Sequence, residues 1–144
     1  MISRKINKSD MNACVAFVEV VKDDFAGYKE EEFQKAVQDG IADGTALLAE
    51  ENGIIGLLLF SREKKELEFL AVHPRARRRG VAKRLIEMMA ANFQSGDVIS
   101  VVTFREGDPK GIAARACYHA CGFQDDELLE VFHYPCQKMV YSIS

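Results

Sequence analysis

The chain has 144 residues, of which 48% are hydrophobic and 28% charged, with a formal net charge of −3. That length suits one domain, residues 1–144, with a substantial buried core, and the mildly acidic balance argues against a general nucleic-acid binder. The polar start MISRKINKSDMNA lacks the apolar centre of a signal peptide. The run GIIGLLLF is far shorter than the roughly 20 residues that cross a bilayer, so a soluble cytoplasmic protein with no membrane partner is expected.

Ile2 to Ile6 reads as a first strand, and Ser9 is then placed to cap a helix that carries Met11, Cys14, Val15, Val18, Val21 and Phe25 at helical spacing. A polar turn around Asp23, Asp24 and Gly27 leads to a second helix, with Phe33, Ala36, Val37 and Ile41 in phase and Gly44 as its stop. The period then changes. TALLAEENGIIGLLLFSREKKELEFLAV holds three strands in an antiparallel meander, turned at Asn52-Gly53 and at REKK.

Helical spacing returns at Val81, Leu85, Met88, Met89 and Phe93, closed by Gly96, and VISVVTF suits a central strand buried on both faces. Ala113, Ala116, Cys117, Ala120 and Cys121 keep helical phase up to Gly122, and two strands around LLEVFHY and QKMVYSI finish the chain. The order is β-α-α-β-β-β-α-β-α-β-β. A helical crossover implies one parallel strand pair, so the fold class is mixed α/β: a mixed central sheet with helices on both faces and a ligand crevice at the carboxyl end of a parallel strand.

The stretch following ELEFLAVHP sits at such an end. From Arg75 to Arg84 it carries Arg75, Arg77, Arg78, Arg79, Lys83 and Arg84 around Gly80, with no acid among them. A helix start already presents free N–H groups and a partial positive charge, so cations there are unfavourable unless an anion binds. G-x-x-x-x-G-K-[ST] and G-x-G-x-x-G are both absent, which argues against P-loop and dinucleotide chemistry. Gly80 would let backbone approach a phosphate closely, and Ala82 keeps the helix start uncluttered.

The string R-x-x-G-x-A, Arg77 to Ala82, placed between a strand and a helix, resembles the acyl-CoA loop of the GNAT superfamily of N-acetyltransferases. A second segment strengthens the likeness: IAARACYHACGF is similar to the family's A-x-x-x-Y-x-x-x-G-F, with Ala114, Tyr118, Gly122 and Phe123 on the matching positions. The resemblance implies a GNAT-like fold over nearly the whole chain. It also implies acetyl-CoA as co-substrate, its pyrophosphate held from Arg77 to Lys83 (Arg77, Arg78, Arg79, Gly80, Val81, Ala82, Lys83) and its pantetheine paired with the backbone of Leu70, Ala71 and Val72. Tyr118 is implied as the general acid for the departing thiolate, a role that a phenol protonated at neutral pH can fill.

Many family members carry an Asn seven residues before this Tyr; here that position is Gly111, and Lys110 or Arg115 could supply a substitute contact. An alkyl ammonium also needs a base, and Glu66 and Glu68 are the candidates. Simple alternation puts both on one strand face with Leu70 and Val72, opposite Leu67, Phe69 and Ala71. Small thiols on a helix core face explain Cys117 and Cys121 better than a metal site does, and with no C-x-x-C spacing neither metal nor disulfide is expected.

The expected function is transfer of an acetyl group from acetyl-CoA to the primary amine of a small molecule or peptide, by direct attack in a ternary complex. A non-catalytic acyl-CoA-binding module is the alternative, nucleic acid is not an expected partner, and a homodimer is left open. The acceptor segments, KDDFAGYKEEE and HYPCQK, do not identify the amine.

Overall fold

The computed structural model of the chain describes residues 1–25 and 27–144. Its elements run β1 (Ile2–Lys5), α1 (Met11–Val21), α2 (Glu30–Asp43), β2 (Ala46–Glu50), β3 (Ile54–Ser61), β4 (Glu66–Val72), α3 (Val81–Ala90), β5 (Val98–Phe104), α4 (Ile112–Ala120), β6 (Gln124–Val131) and β7 (Tyr134–Ser142). This is the order read from the sequence. The strands form one seven-stranded sheet, β1-β2-β3-β4-β5-β7-β6, antiparallel except for the parallel pair β4–β5.

The helices divide between the two faces because alternate strand residues point to opposite sides. On one side Cys14, Phe17 and Val18 of α1 and Phe33 and Val37 of α2 pack on Leu48, Leu57 and Leu59. On the other, Val81, Leu85, Ile86 and Met89 of α3 pack on Leu47, Leu58, Phe60 and Leu67, joined by Ile99, Phe123 and Met139.

Several local expectations are corrected. The first helix is led in by a short 3-10 turn capped by Asn7, not Ser9: the Asn7 side chain accepts from the Ser9 N–H, and Asp10 accepts from the Asn7 N–H in a reciprocal box. The helix stops at Val21, and Phe25 lies beyond it in extended backbone, stacked on Phe69 with ring centroids 4.5 Å apart. The third helix ends at Ala90, short of Phe93. β5 is not buried on both faces, since Ile99 and Val101 are covered whereas Val98 and Val102 are exposed; the first two helices do not extend over that part of the sheet. LLEVFHY is not one strand, because Phe132 and His133 turn the last hairpin, each at positive φ.

Two irregularities in β4 govern the site. Its ladder with β5 contains a single pair, Glu66 with Ser100, although β4 continues to Val72 and β5 to Phe104, so the two strands part from that point. Its ladder with β3 shifts register: Leu59 pairs with Phe69 and Phe60 with Leu67, leaving Glu68 as the extra residue of a bulge. The bulge breaks the alternation expected for this strand. Leu67 falls on the α3 side together with Leu70 and Val72, while Phe69 and Ala71 face α1 and α2.

Leu85 is fully buried where α3 lies against β3. Leu85→Ala should lower unfolding free energy by about 2–5 kcal/mol, measured by urea denaturation.

Candidate active site

The basic turn connects the carboxyl end of β4 to α3. Arg78 and Gly80 both take left-handed backbone, with φ of 64° and 78°, and Gly80 is the uncapped N-terminal boundary of the helix. These torsions turn successive amides outward. From Arg77 through Lys83 no backbone N–H has a hydrogen-bond partner among the described residues, and the first bond of the helix is donated by the Arg84 N–H to the Gly80 carbonyl at 3.0 Å. No acid lies in the first turn of α3, and a Cβ placed on Gly80 would meet no atom within 4 Å. Open donors, an uncapped helix start and local positive charge form an anion cradle.

The arginines divide into two sets. Arg75 donates to the Glu51 and Asn52 carbonyls of the β2–β3 turn, Arg79 pairs with the Glu51 carboxylate, and Arg77 donates to the Val72 carbonyl at 3.3 Å and to Asp24 at 3.0 Å. These side chains hold the turn in place. Arg78 and Lys83 are exposed and have no side-chain hydrogen bond among the described residues, which leaves their charges free for a ligand.

Leu70, Ala71 and Val72 form the edge of β4 that faces the gap left by β5. Past Glu66 that edge has no ladder partner, so its outward N–H and C=O groups, apart from the Val72 carbonyl that accepts from Arg77, are available to an extended, amide-bearing chain. Tyr118 lies across the same layer on α4, half-buried in the α3-side core with its ring 5.5 Å from that of Phe123. Its hydroxyl makes no hydrogen bond among the described residues. Burial, with the neighbouring Cys117 and Cys121 thiols adding to it, raises the phenol above its ordinary value, so it remains protonated through neutral and mildly alkaline pH.

Glu68 is the bulge residue, and Glu66 precedes it in regular register with Ser61. Glu68 lines a groove of about 880 Å³ on the α1 and α2 side, with Phe25, Tyr28, Phe33 and Phe69 among its walls, and Glu66 is not part of that lining. Partial burial raises the Glu68 carboxyl, and the nearby Glu66 charge pushes it in the same direction.

Of the two substitutes for the family's Asn, Arg115 is engaged elsewhere. Arg115 is buried and committed, donating to the Phe104 carbonyl at 3.1 Å, the Gln137 side chain at 2.9 Å and Asp125 at 2.8 Å. Lys110 stands 5.0 Å over the Tyr134 ring. The helix face also differs from the small-residue stripe read from sequence, since Ala113, Ala116 and Ala120 are exposed while Arg115, Cys117, Tyr118 and Cys121 turn inward. Gly111 has a steric role instead: a Cβ there would meet the Phe104 Cβ at 2.7 Å.

The split parallel pair, the open amides after β4 and the inward tyrosine on α4 are the features expected of an acyl-CoA-using transferase fold. The chain belongs to the acetyltransferase (GNAT) family, whose profile matches residues 14–123. No curated protein sequence matches the chain. Among solved structures it is similar to a GNAT-family acetyltransferase from Bacillus cereus, at 19% identity over 98% of this chain and 96% of that one, with a TM-score of 0.78. It is also similar to yncA from Salmonella typhimurium, solved with its cofactor acetyl-CoA, at 16% identity over 100% and 94% of the two chains, TM-score 0.71. Spermidine N-acetyltransferase SpeG from Vibrio cholerae gives 16% identity over 99% and 95%, TM-score 0.67.

Sequence reasoning did not single out Arg115 as buried, or Phe25 and Tyr28 as groove walls. A lone Arg amid alanines carries no periodic signal of burial, Phe25 continues the phase of the first helix although the helix ends at Val21, and Tyr28 in a short polar turn has no pattern to place it.

Gly111→Asn tests the steric reading. The variant should lose about 1–3 kcal/mol of stability by overpacking against Phe104, with no gain in CoA affinity by titration calorimetry.

Proposed function

We propose that residues 1–144 form one acetyl-CoA-dependent N-acetyltransferase domain, passing the acetyl group directly to a primary amine while both substrates are bound. The observation that carries this reading is the continuity of three features: free amides from Arg77 to Lys83, the unpaired β4 edge from Leu70 to Val72, and the groove that begins at Glu68. A CoA pyrophosphate fits the first, with Arg78 and Lys83 adding charge. An amide-rich pantetheine arm fits the second, and an acceptor amine reaching through the third meets the thioester where the strands part.

In this arrangement Glu68, directly or through a water, takes the ammonium proton, with Glu66 acting through its charge. The freed nitrogen attacks the thioester carbonyl, and amide N–H groups of the open β4 edge near Leu70 stabilise the oxyanion. The C–S bond then breaks as Tyr118 delivers its proton to the departing thiolate, and the excess proton still on the attacking nitrogen passes, directly or through water, back to the Tyr118 phenolate. Transfer inside one complex needs no acyl-enzyme, so none of the four free cysteines is required as a nucleophile.

Two measurements test these roles. Tyr118→Phe should reduce kcat by roughly 10²–10⁴-fold while leaving the Kd for acetyl-CoA within about twofold; tight binding with no transfer by the unaltered protein would instead indicate a binding module.

The pH dependence follows from the Glu68 shift. A base must be deprotonated to act, so kcat/KM should fall as pH drops through the Glu68 ionisation, at a pH above the ordinary carboxylate value. In Glu68→Gln only amine that is already neutral reacts, and the limb should move up to the amine's own pKa. Glu66→Gln removes one of the two upward pushes and should move the wild-type limb down.

A further inference from the structure

The groove beside Glu68 has a definite chemical character. Four rings wall part of it: Phe25 stacks on Phe69 at 4.5 Å, Phe33 lies 5.5 Å from Phe69, and Tyr28 lies 6.0 Å from Phe33. The Tyr28 hydroxyl is sealed from water without a hydrogen-bond partner among the described residues, and burial raises its ionisation. An orphaned buried hydroxyl is unfavourable, and a ligand oxygen entering beside it would relieve that.

The rest of the lining mixes signs. Three cations, Lys29, Arg62 and Lys64, stand among five acids that include Glu32 and Glu68, and Asp39 is engaged by Lys35 at 3.5 Å.

We infer that the acceptor is the α-amine of an aminoacyl group with a large apolar side chain, the side chain seated among Phe25, Phe33 and Phe69, and the adjoining carbonyl accepting a hydrogen bond from Tyr28. The inference rests on the acetyltransferase reading above. Proton chemistry supports it, because an α-ammonium, with pKa near 7.7–8.0, is far closer to a carboxylate base than an alkyl ammonium near 10.4. Free amino acids, amino-acid amides and peptide N-termini share this chemistry. A free carboxylate would lie in the same groove as the Glu68 charge, which favours the latter two.

The test follows CoA release from acetyl-CoA with L-phenylalaninamide, glycinamide, L-phenylalanine, a Phe-Gly-Gly peptide, 2-phenylethylamine, Nα-acetyl-lysinamide and spermidine. Phenylalaninamide or the peptide should exceed glycinamide in kcat/KM by at least about tenfold, the effect of burying one large apolar side chain. Tyr28→Phe should lower the ratio of kcat/KM for phenylalaninamide over 2-phenylethylamine, which lacks the carbonyl, by about fivefold. Equal rates with glycinamide, a preference for spermidine or Nα-acetyl-lysinamide, or an unchanged ratio in Tyr28→Phe overturns the inference while leaving acetyl transfer intact. No release with any amine, from protein that binds acetyl-CoA, overturns both readings.

Discussion

The parting of β4 from β5 is the constraint on which the rest of the structure depends. A sheet normally pairs its backbone groups continuously, and an opening between interior strands leaves donors and acceptors that something must satisfy. Here one ladder pair, Glu66 with Ser100, closes the narrow end, and the gap then opens toward the basic turn. The opening persists because each arm is held from its outer side. β4 is paired with β3 along its length, and β5 is paired with β7 from Val98 to Phe104. Neither strand can turn toward the other without giving up a full ladder, so the unpaired edge is a lasting property of the fold.

The same divergence accounts for the bulge at Glu68. Strand β4 must follow β3 on one side and leave β5 on the other, and an extra residue is how a strand bends within a ladder. That single insertion sends Leu67 and Phe69 to opposite cores and brings a carboxylate to the mouth of the groove. The cationic turn meets a related constraint. Three of its arginines are occupied by Glu51, Asp24 and backbone carbonyls, so the like charges crowded at the start of α3 are partly neutralised, while the amides they surround stay open.

Much of this was legible because several signals agreed along the chain. Helical spacing in the first two helices, Gly44 at left-handed φ, the Asn52-Gly53 turn and the glycine between strand and basic helix each specify local geometry with little help from distant residues. What escaped depends on contacts far apart in sequence. Asn7 displaced Ser9 as the cap because Asp10 completes the box while also pairing with Arg4, whose other partner is Glu50. The bulge leaves no mark on the pattern KELEFLAV, since it reflects the strand's neighbours and not its own alternation. The last hairpin turns on Phe132 and His133, neither of them a turn former, and exposes Phe132 almost completely.

Arg115 links the helix that carries Tyr118 to the end of β5. Its guanidinium binds the Phe104 carbonyl where β5 ends, Gln137 on β7 and Asp125 on β6, so helix α4 is fastened to three strands by one buried charge whose donors are shared among them. A charge this deeply buried is tolerated only when its hydrogen bonds are met, and the geometry that meets them fixes the roll of a helix too short to be held by an apolar stripe. Ala113, Ala116 and Ala120 can face solvent for that reason, and Tyr118, three residues after Arg115, is carried inward beside Phe123. Gly111 belongs to the same arrangement, since the start of α4 reaches the end of β5 only without a side chain at that position. The residue that departs from the family pattern is therefore part of what turns the tyrosine inward beside Phe123.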